Sequence, residues 1–169
     1  MPVNIEIKSR VRDAAALRAR AEALSDSPAE TIPQEDTFFR VSHGRLKLRI
    51  LAPDCGELIY YTRPDRAGPK RSDYQIYRTN RPEELKSLLS NALGVKGVVR
   101  KIRLLYWVGQ TRIHLDEVED LGAFAELEVV LRPGQNEAEG LKIAENLAVE
   151  LGIREEDLVE GAYIDLMEG

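Results

Sequence analysis

The chain has 169 residues and a formal net charge of −5, with 43% hydrophobic and 31% charged residues. That balance predicts a single folded, soluble domain over residues 1–169 and excludes wholesale disorder. The acidic sum argues against general nucleic-acid binding, and no segment approaches the roughly 20 apolar residues of a membrane span.

Residues 3–8 alternate apolar and polar side chains, the period of a strand with one buried face, and the polar face carries Asn4, Glu6 and Lys8. Asp13 is placed to cap an alanine-rich helix over 14–24. Pro28 and Pro33 predict a loop, and a strand follows over 36–41. Gly44 predicts the hairpin turn into a strand over 45–51, which alternates almost perfectly. Further strands are predicted over 57–63 and 72–79, separated by a loop at 64–69 with a charged tail at Lys70 and Arg71. Pro82 opens a helix ending at Gly94, with Leu85, Leu88 and Leu89 on one stripe. Strands over 98–108, 111–118 and 124–131 come next, the first two joined by a turn at Gly109 and Gln110. A helix over 137–151 presents Leu141, Ala144, Leu147, Ala148 and Leu151, and Gly152 caps it. Eight strands joined mostly by hairpins, with three helices, predict a mainly β, α+β fold built on an antiparallel sheet.

Cys55 is the single cysteine, so no intrachain disulfide forms and the composition fits a reducing, cytoplasmic compartment. It lies in a loop-like stretch with no evident base partner, which argues against a nucleophilic role. The opening residues carry no signal-peptide core. Two histidines and one cysteine argue against structural zinc. There is no Walker-type glycine-rich phosphate loop.

The chemistry lies in the alternating charges. Lys47 and Arg49 are like-charged neighbours on one strand face, and so are Glu126 and Glu128. Side chains at i and i+2 stand about 6.5 to 7 Å apart, close enough to converge on one ligand. Glu6 and Lys8, Glu57 and Arg63, Lys101 and Arg103, and Arg112, His114 and Asp116 repeat the arrangement. A one-sided sheet with a solvated charged face would also produce such alternation. Paired carboxylates, however, suit a hard cation such as Mg²⁺ or Mn²⁺, while arginine and lysine grip phosphate oxygens. A polyphosphate needs both, and a closed barrel would gather the strands around it. His114 shares the parity of Arg112 and Asp116, whereas His43 reads as a turn residue.

The stretches 4–8, 36–39, 44–49, 56–64, 101–103, 112–118 and 124–128 together resemble the CYTH superfamily, the triphosphate tunnel metalloenzymes. Stretches 44–64 and 112–128 resemble its class IV adenylyl cyclases in particular. The resemblance implies a closed eight-stranded antiparallel β-barrel with helices packed outside, a triphosphate in the tunnel and a divalent metal on strand carboxylates. It implies Glu126 and Glu128 as leading metal ligands with Glu6 contributing; Glu57 is a further metal candidate or a partner for the basic wall, and Asp116 a further metal candidate or a residue that orients a basic one. It implies Lys8, Lys47, Arg49, Arg63, Lys101 and Arg103 as phosphate contacts, with Arg112 a further candidate. Lys8, Arg49, Arg103, Glu126 and Glu128 would carry the catalysis. Asn4 departs from the family's Glu-x-Glu-x-Lys strand by offering a neutral oxygen where a carboxylate is expected. Tyr163 and Asp165 resemble residues near the family's chain end.

The expected activity is a Mg²⁺- or Mn²⁺-dependent reaction on a triphosphate. It is either phosphohydrolysis or conversion of ATP to cyclic AMP and pyrophosphate. The expected partner is ATP or inorganic triphosphate, and the chain would act as a monomer or homodimer. A non-catalytic triphosphate- or nucleotide-binding module is the alternative, as is a small interaction domain whose charged face is solvated.

Overall fold

The alternating strands close on themselves. The computed structural model describes residues 2–64 and 66–168. Its strands are β1 (Val3–Arg10), β2 (Glu30–Phe39), β3 (Arg45–Ala52), β4 (Cys55–Thr62), β5 (Lys70–Thr79), β6 (Val95–Val108), β7 (Thr111–Val118) and β8 (Gly122–Val130). They form a closed antiparallel barrel in the order β1-β5-β4-β3-β2-β6-β7-β8, with β1 pairing back onto β8. Among the described residues closure leaves no exposed sheet edge.

The barrel is apolar outside and charged inside. Helices α1 (Ala14–Leu24) and α3 (Glu137–Leu151) bury the outward residues Ile5 and Ile7 of β1, Ile113 of β7, and Leu127 and Val129 of β8. Gly140 lets α3 lie on β1, because a Cβ there would meet Ile5 at 2.7 Å. Asp13 caps α1 by accepting from the Ala16 amide, and Asn136 with Glu139 forms a capping box on α3. Gly152 ends α3 with φ 75°, a conformation a side chain would resist. Helix α2 (Pro82–Leu93) packs beside β2, β3 and β4.

A second apolar cluster, including Phe38, Ile59, Tyr61, Val99, Phe124, Tyr163 and Ile164, joins the chain end to the barrel. Its last part is the short helix α4 (Tyr163–Glu168), preceded by a 3-10 turn at Glu155–Asp157. The Val159 amide donates to the Lys8 carbonyl at 2.9 Å, strapping this segment to β1. Asp165 pairs with Arg45 at 2.8 Å and Lys96 at 3.6 Å.

Several expected boundaries move. β2 begins at Glu30, so Pro33 lies in a strand rather than a loop. From 30 to 34 this strand pairs only with β6, while β3 joins from Glu35 onward, and a one-sided stretch tolerates a residue lacking an N–H. β5 starts at Lys70, because Lys70 pairs in register with Glu6 rather than ending a loop. β6 starts at Val95, and Gly97 stays in it because Ile164 packs where a Cβ would sit. Leu88 and Leu141 are exposed, so the buried stripes of α2 and α3 are narrower than their sequences imply. Asp65, within the loop expected at 64–69, lies outside the described residues.

Candidate active site

The barrel interior is a cavity of about 270 Å³. Among the described residues eight basic and five acidic side chains line it, so its charge is opposite in sign to that of the whole chain. Register explains the convergence. Across the ladders Glu6 faces Glu128, Lys8 faces Glu126, Asp36 faces Arg49, and Arg103 faces Asp116.

One wall is a group of cations around a single carboxylate. Arg49 donates from Nε and Nη2 to the two oxygens of Asp36, each at 2.9 Å. Lys101 donates to Asp36 Oδ2 at 2.9 Å, and Lys47 lies 3.2 Å from the same oxygen. Burial alone would raise Asp36, but Arg49, Lys101 and Lys47 hold it well below the ordinary carboxylate value. Asp36 is the single acid shared by Arg49, Lys47 and Lys101, so with the lysines protonated this wall keeps a surplus for an anion. Burial, reinforced by Arg49, Arg103 and Lys47 and opposed by Asp36, pushes the Lys101 amine down to about 7.

Beside this wall Arg103 forms a two-pronged pair with Asp116, both contacts at 2.8 Å, and Tyr163 donates its hydroxyl to Asp116 at 2.9 Å. A third contact brings Arg103 within 3.7 Å of Glu126. The Lys8 ammonium sits 4.0 Å over the Tyr163 ring and donates to the Gly161 carbonyl at 3.3 Å. Arg63 bridges Glu6 at 2.9 Å and the Gly161 carbonyl at 3.1 Å. The chain end therefore closes part of the tunnel and supplies neutral partners to its cations.

The acidic wall is formed by Glu6, Glu126 and Glu128. Burial, followed by the charge of Glu128, raises Glu6 to about 7. Lys8 and Arg103 overcome burial to hold Glu126 well below the ordinary range. A ring nitrogen of His114 and one oxygen each of Glu126 and Glu128 lie within 4.8 Å of one another. Burial, with Arg103, lowers His114 to about 4, which leaves it neutral and able to donate a lone pair at neutral pH. Asn4 donates from Nδ2 to Glu128 at 3.2 Å, and its buried Oδ1 has no partner among the described residues. Crowded carboxylates, a neutral imidazole and an unpaired amide oxygen form a donor set that fits a divalent cation.

Eleven of the twelve residues singled out from the sequence line the cavity: Glu6, Lys8, Lys47, Arg49, Glu57, Arg63, Lys101, Arg103, Arg112, Glu126 and Glu128. Asp116 is buried behind Arg103 and is fully engaged there. Glu57 stands apart from the acidic wall, between Arg49 and Arg78 in register, and lies 3.6 Å from the exposed Arg78. Arg112 is partly exposed, 3.5 Å from Glu128 and stacked 5.7 Å from the Trp107 ring. Sequence reasoning passed over Asp36, although the unbalanced pair of Lys47 and Arg49 asked for a buried acid of matching parity on a neighbouring strand. It gave Tyr163 no role, and nothing local indicates that its hydroxyl reaches Asp116.

The family model for the CYTH domain matches residues 3–163. The protein PH1012 of Pyrococcus horikoshii superposes with a TM-score of 0.85 at 28% identity, covering 96% of this chain and 98% of its own. A proposed adenylate cyclase from Vibrio parahaemolyticus has a TM-score of 0.81 at 20% identity, with 98% of each chain covered. HpAC1 from Hippeastrum, a proposed adenylyl cyclase with a dominant triphosphatase activity, has a TM-score of 0.63 at 19% identity, covering 90% of this chain and 89% of its own. No curated protein is a significant match.

Proposed function

The chain belongs to the CYTH domain family, and from that membership and the charge of its tunnel we propose that it is a divalent-metal-dependent enzyme hydrolysing a triphosphate compound. The observation that carries this reading is a closed tunnel lined by eight basic and five acidic side chains in a chain of net charge −5. Such a surplus, gathered inside a barrel, suits a compact polyanion.

Arg49 and Arg103, each with its fork fixed by a carboxylate, hold donors in place for phosphate oxygens. Fixed donors need little rearrangement as charge develops on the transferring phosphoryl group. Lys47 and Lys101 add point charges on the same wall. Lys8 and Arg63 now bond to the Gly161 carbonyl, a neutral partner that a phosphate oxygen can replace. Glu126 and Glu128, with Glu6 across the ladder, would hold Mg²⁺ or Mn²⁺. When bound, the ion supplies charge neutralisation and orientation of the triphosphate. Asp116 serves as a positioning residue for Arg103. An ordered water attacks the terminal phosphorus, the bridging P–O bond breaks and orthophosphate is released.

A second reading is ring closure of ATP, in which the ribose 3′ oxygen attacks the α-phosphorus and pyrophosphate leaves. Ile32, Ile76 and Leu105 favour it, since they share the cavity with the cations and would face a nucleoside. Product analysis with inorganic triphosphate and with ATP, each with Mg²⁺ and with Mn²⁺, separates the two. Orthophosphate release supports hydrolysis, whereas cyclic AMP with pyrophosphate supports cyclisation. Tight binding without turnover would make the chain a binding module.

A further inference from the structure

We propose that His114 is a nitrogen ligand of the divalent ion in this tunnel, and that the site therefore selects a first-row transition ion such as Mn²⁺ over Mg²⁺. The inference rests on the reading above only for the presence of an ion at Glu126 and Glu128.

The carboxylate supply is short. Position 4 on β1 carries an amide, so it brings no charge. Glu6, across the ladder from Glu128, shares its carboxylate with Arg63 at 2.9 Å and so offers an ion less charge. Glu57 lies beside Arg78, and Asp116 is engaged by Arg103 and Tyr163. Glu126 and Glu128 are the acids that converge on one corner, and their arginine contacts are long, 3.7 Å to Arg103 and 3.5 Å to Arg112. The third donor within their reach is the imidazole of His114, which faces Glu126 across the ladder and stands 3.2 Å from Glu128.

The orphaned atoms point the same way. His114 is 4% exposed and its Nδ1 has no hydrogen-bond partner among the described residues. Asn4 is 2% exposed, with Oδ1 equally unpartnered. Buried polar atoms are rarely left unpaired, because desolvation is then uncompensated. Nε2 is the ring nitrogen that stands 3.2 Å from Glu128, so an ion shared by Glu126 and Glu128 would draw on its lone pair while Nδ1 keeps the ring proton. Asn4 donates its Nδ2 to the same Glu128, so its unpaired Oδ1 is a further oxygen near that corner.

The donor set then decides the metal. Mg²⁺ demands oxygen ligands in near-ideal octahedral geometry and gains little from an imidazole. Mn²⁺ and its neighbours accept nitrogen beside carboxylate, and affinity at such sites rises along the first-row series. Replacing one charged oxygen by a neutral nitrogen weakens the site for Mg²⁺ more than for Mn²⁺.

The test is Mn²⁺ titrated into the native protein with inorganic triphosphate present, followed by electron paramagnetic resonance. Mn²⁺ should bind about tenfold or more tightly than Mg²⁺ in competition, and the pulsed spectrum should show nitrogen modulation. His114→Gln should remove that modulation and most of the preference while still binding Mg²⁺. Should that variant misfold, native protein made with isotopically labelled histidine decides alone, because the modulation must change with the label. Mn²⁺ bound without histidine nitrogen modulation overturns the inference and leaves the triphosphate tunnel standing. Failure to bind Mn²⁺ at all overturns both the inference and the metal part of the proposed function.

Discussion

Arg49 donates both Nε and Nη2 to Asp36, and the pair lies within the barrel rather than on its surface. A paired arginine on a wet sheet face contributes little to stability. This one shares its carboxylate with Lys47 and Lys101, so a single acid organises three cations from β3 and β6 into one wall. The arrangement fixes donor directions before any ligand arrives.

Removing that acid should leave three buried cations without their shared partner. Asp36→Asn is expected to cost about 3–5 kcal/mol, the usual cost of breaking a buried pair from one side. Thermal unfolding should show the loss. Added inorganic triphosphate should restore more stability to the variant than it adds to the native protein, since it replaces the missing negative charge. An unchanged melting temperature would remove Asp36 from its organising position.

Glu126→Ala and Glu128→Ala should impair metal-dependent turnover far more than folding. A decrease on the order of a hundredfold in kcat is expected, with the far-ultraviolet circular dichroism retained. Activity equal to that of the native protein at both limiting and saturating metal would defeat the assignment.

The Lys101 amine, lowered to about 7, makes binding depend on pH. Its folded value lies below the unfolded one, so between about 7 and the ordinary value near 10.4 the unfolded chain binds the proton more tightly. Stability of the ligand-free protein should therefore rise with pH across that window. A triphosphate favours the protonated amine, so binding above pH 7 should draw in a proton and weaken as pH rises. Calorimetry in buffers of different ionisation heat measures the uptake. The native protein should take up more protons at pH ~8 than Lys101→Arg, whose guanidinium stays charged. Equal uptake in both would contradict the effect.

Glu57 supplies a contrast. Its contact with Arg78 is long, and the Arg78 side chain is 75% exposed. Glu57→Gln should change stability by less than about 1 kcal/mol and leave Mn²⁺ affinity unchanged in a direct titration. A large loss of affinity would return Glu57 to the metal ligands.

The period-2 pattern made the tunnel wall legible. Once the strands close, Glu6, Lys8, Lys47, Arg49, Lys101, Arg103, Glu126 and Glu128 must all point one way, and the helices must cover Ile5, Ile7, Leu127 and Val129. What escaped was non-local. Asp36 looks like an isolated acid in an otherwise ordinary strand, and its partner Lys101 is 65 residues away. The start of β2 was hidden by Pro33, because proline reads as a break unless one knows that a strand is paired on one side only. The closure by Tyr163 depends on where α4 lands, which no local periodicity encodes.

Whether the tunnel holds a triphosphate is measured most directly by calorimetric titration of inorganic triphosphate with Mn²⁺ present. One triphosphate should bind saturably per chain, about tenfold or more weakly in Arg49→Ala, in line with loss of a charge-assisted pair of hydrogen bonds. Absence of saturable binding, or equal affinity in the native protein and the Arg49→Ala variant, would contradict a triphosphate in the tunnel.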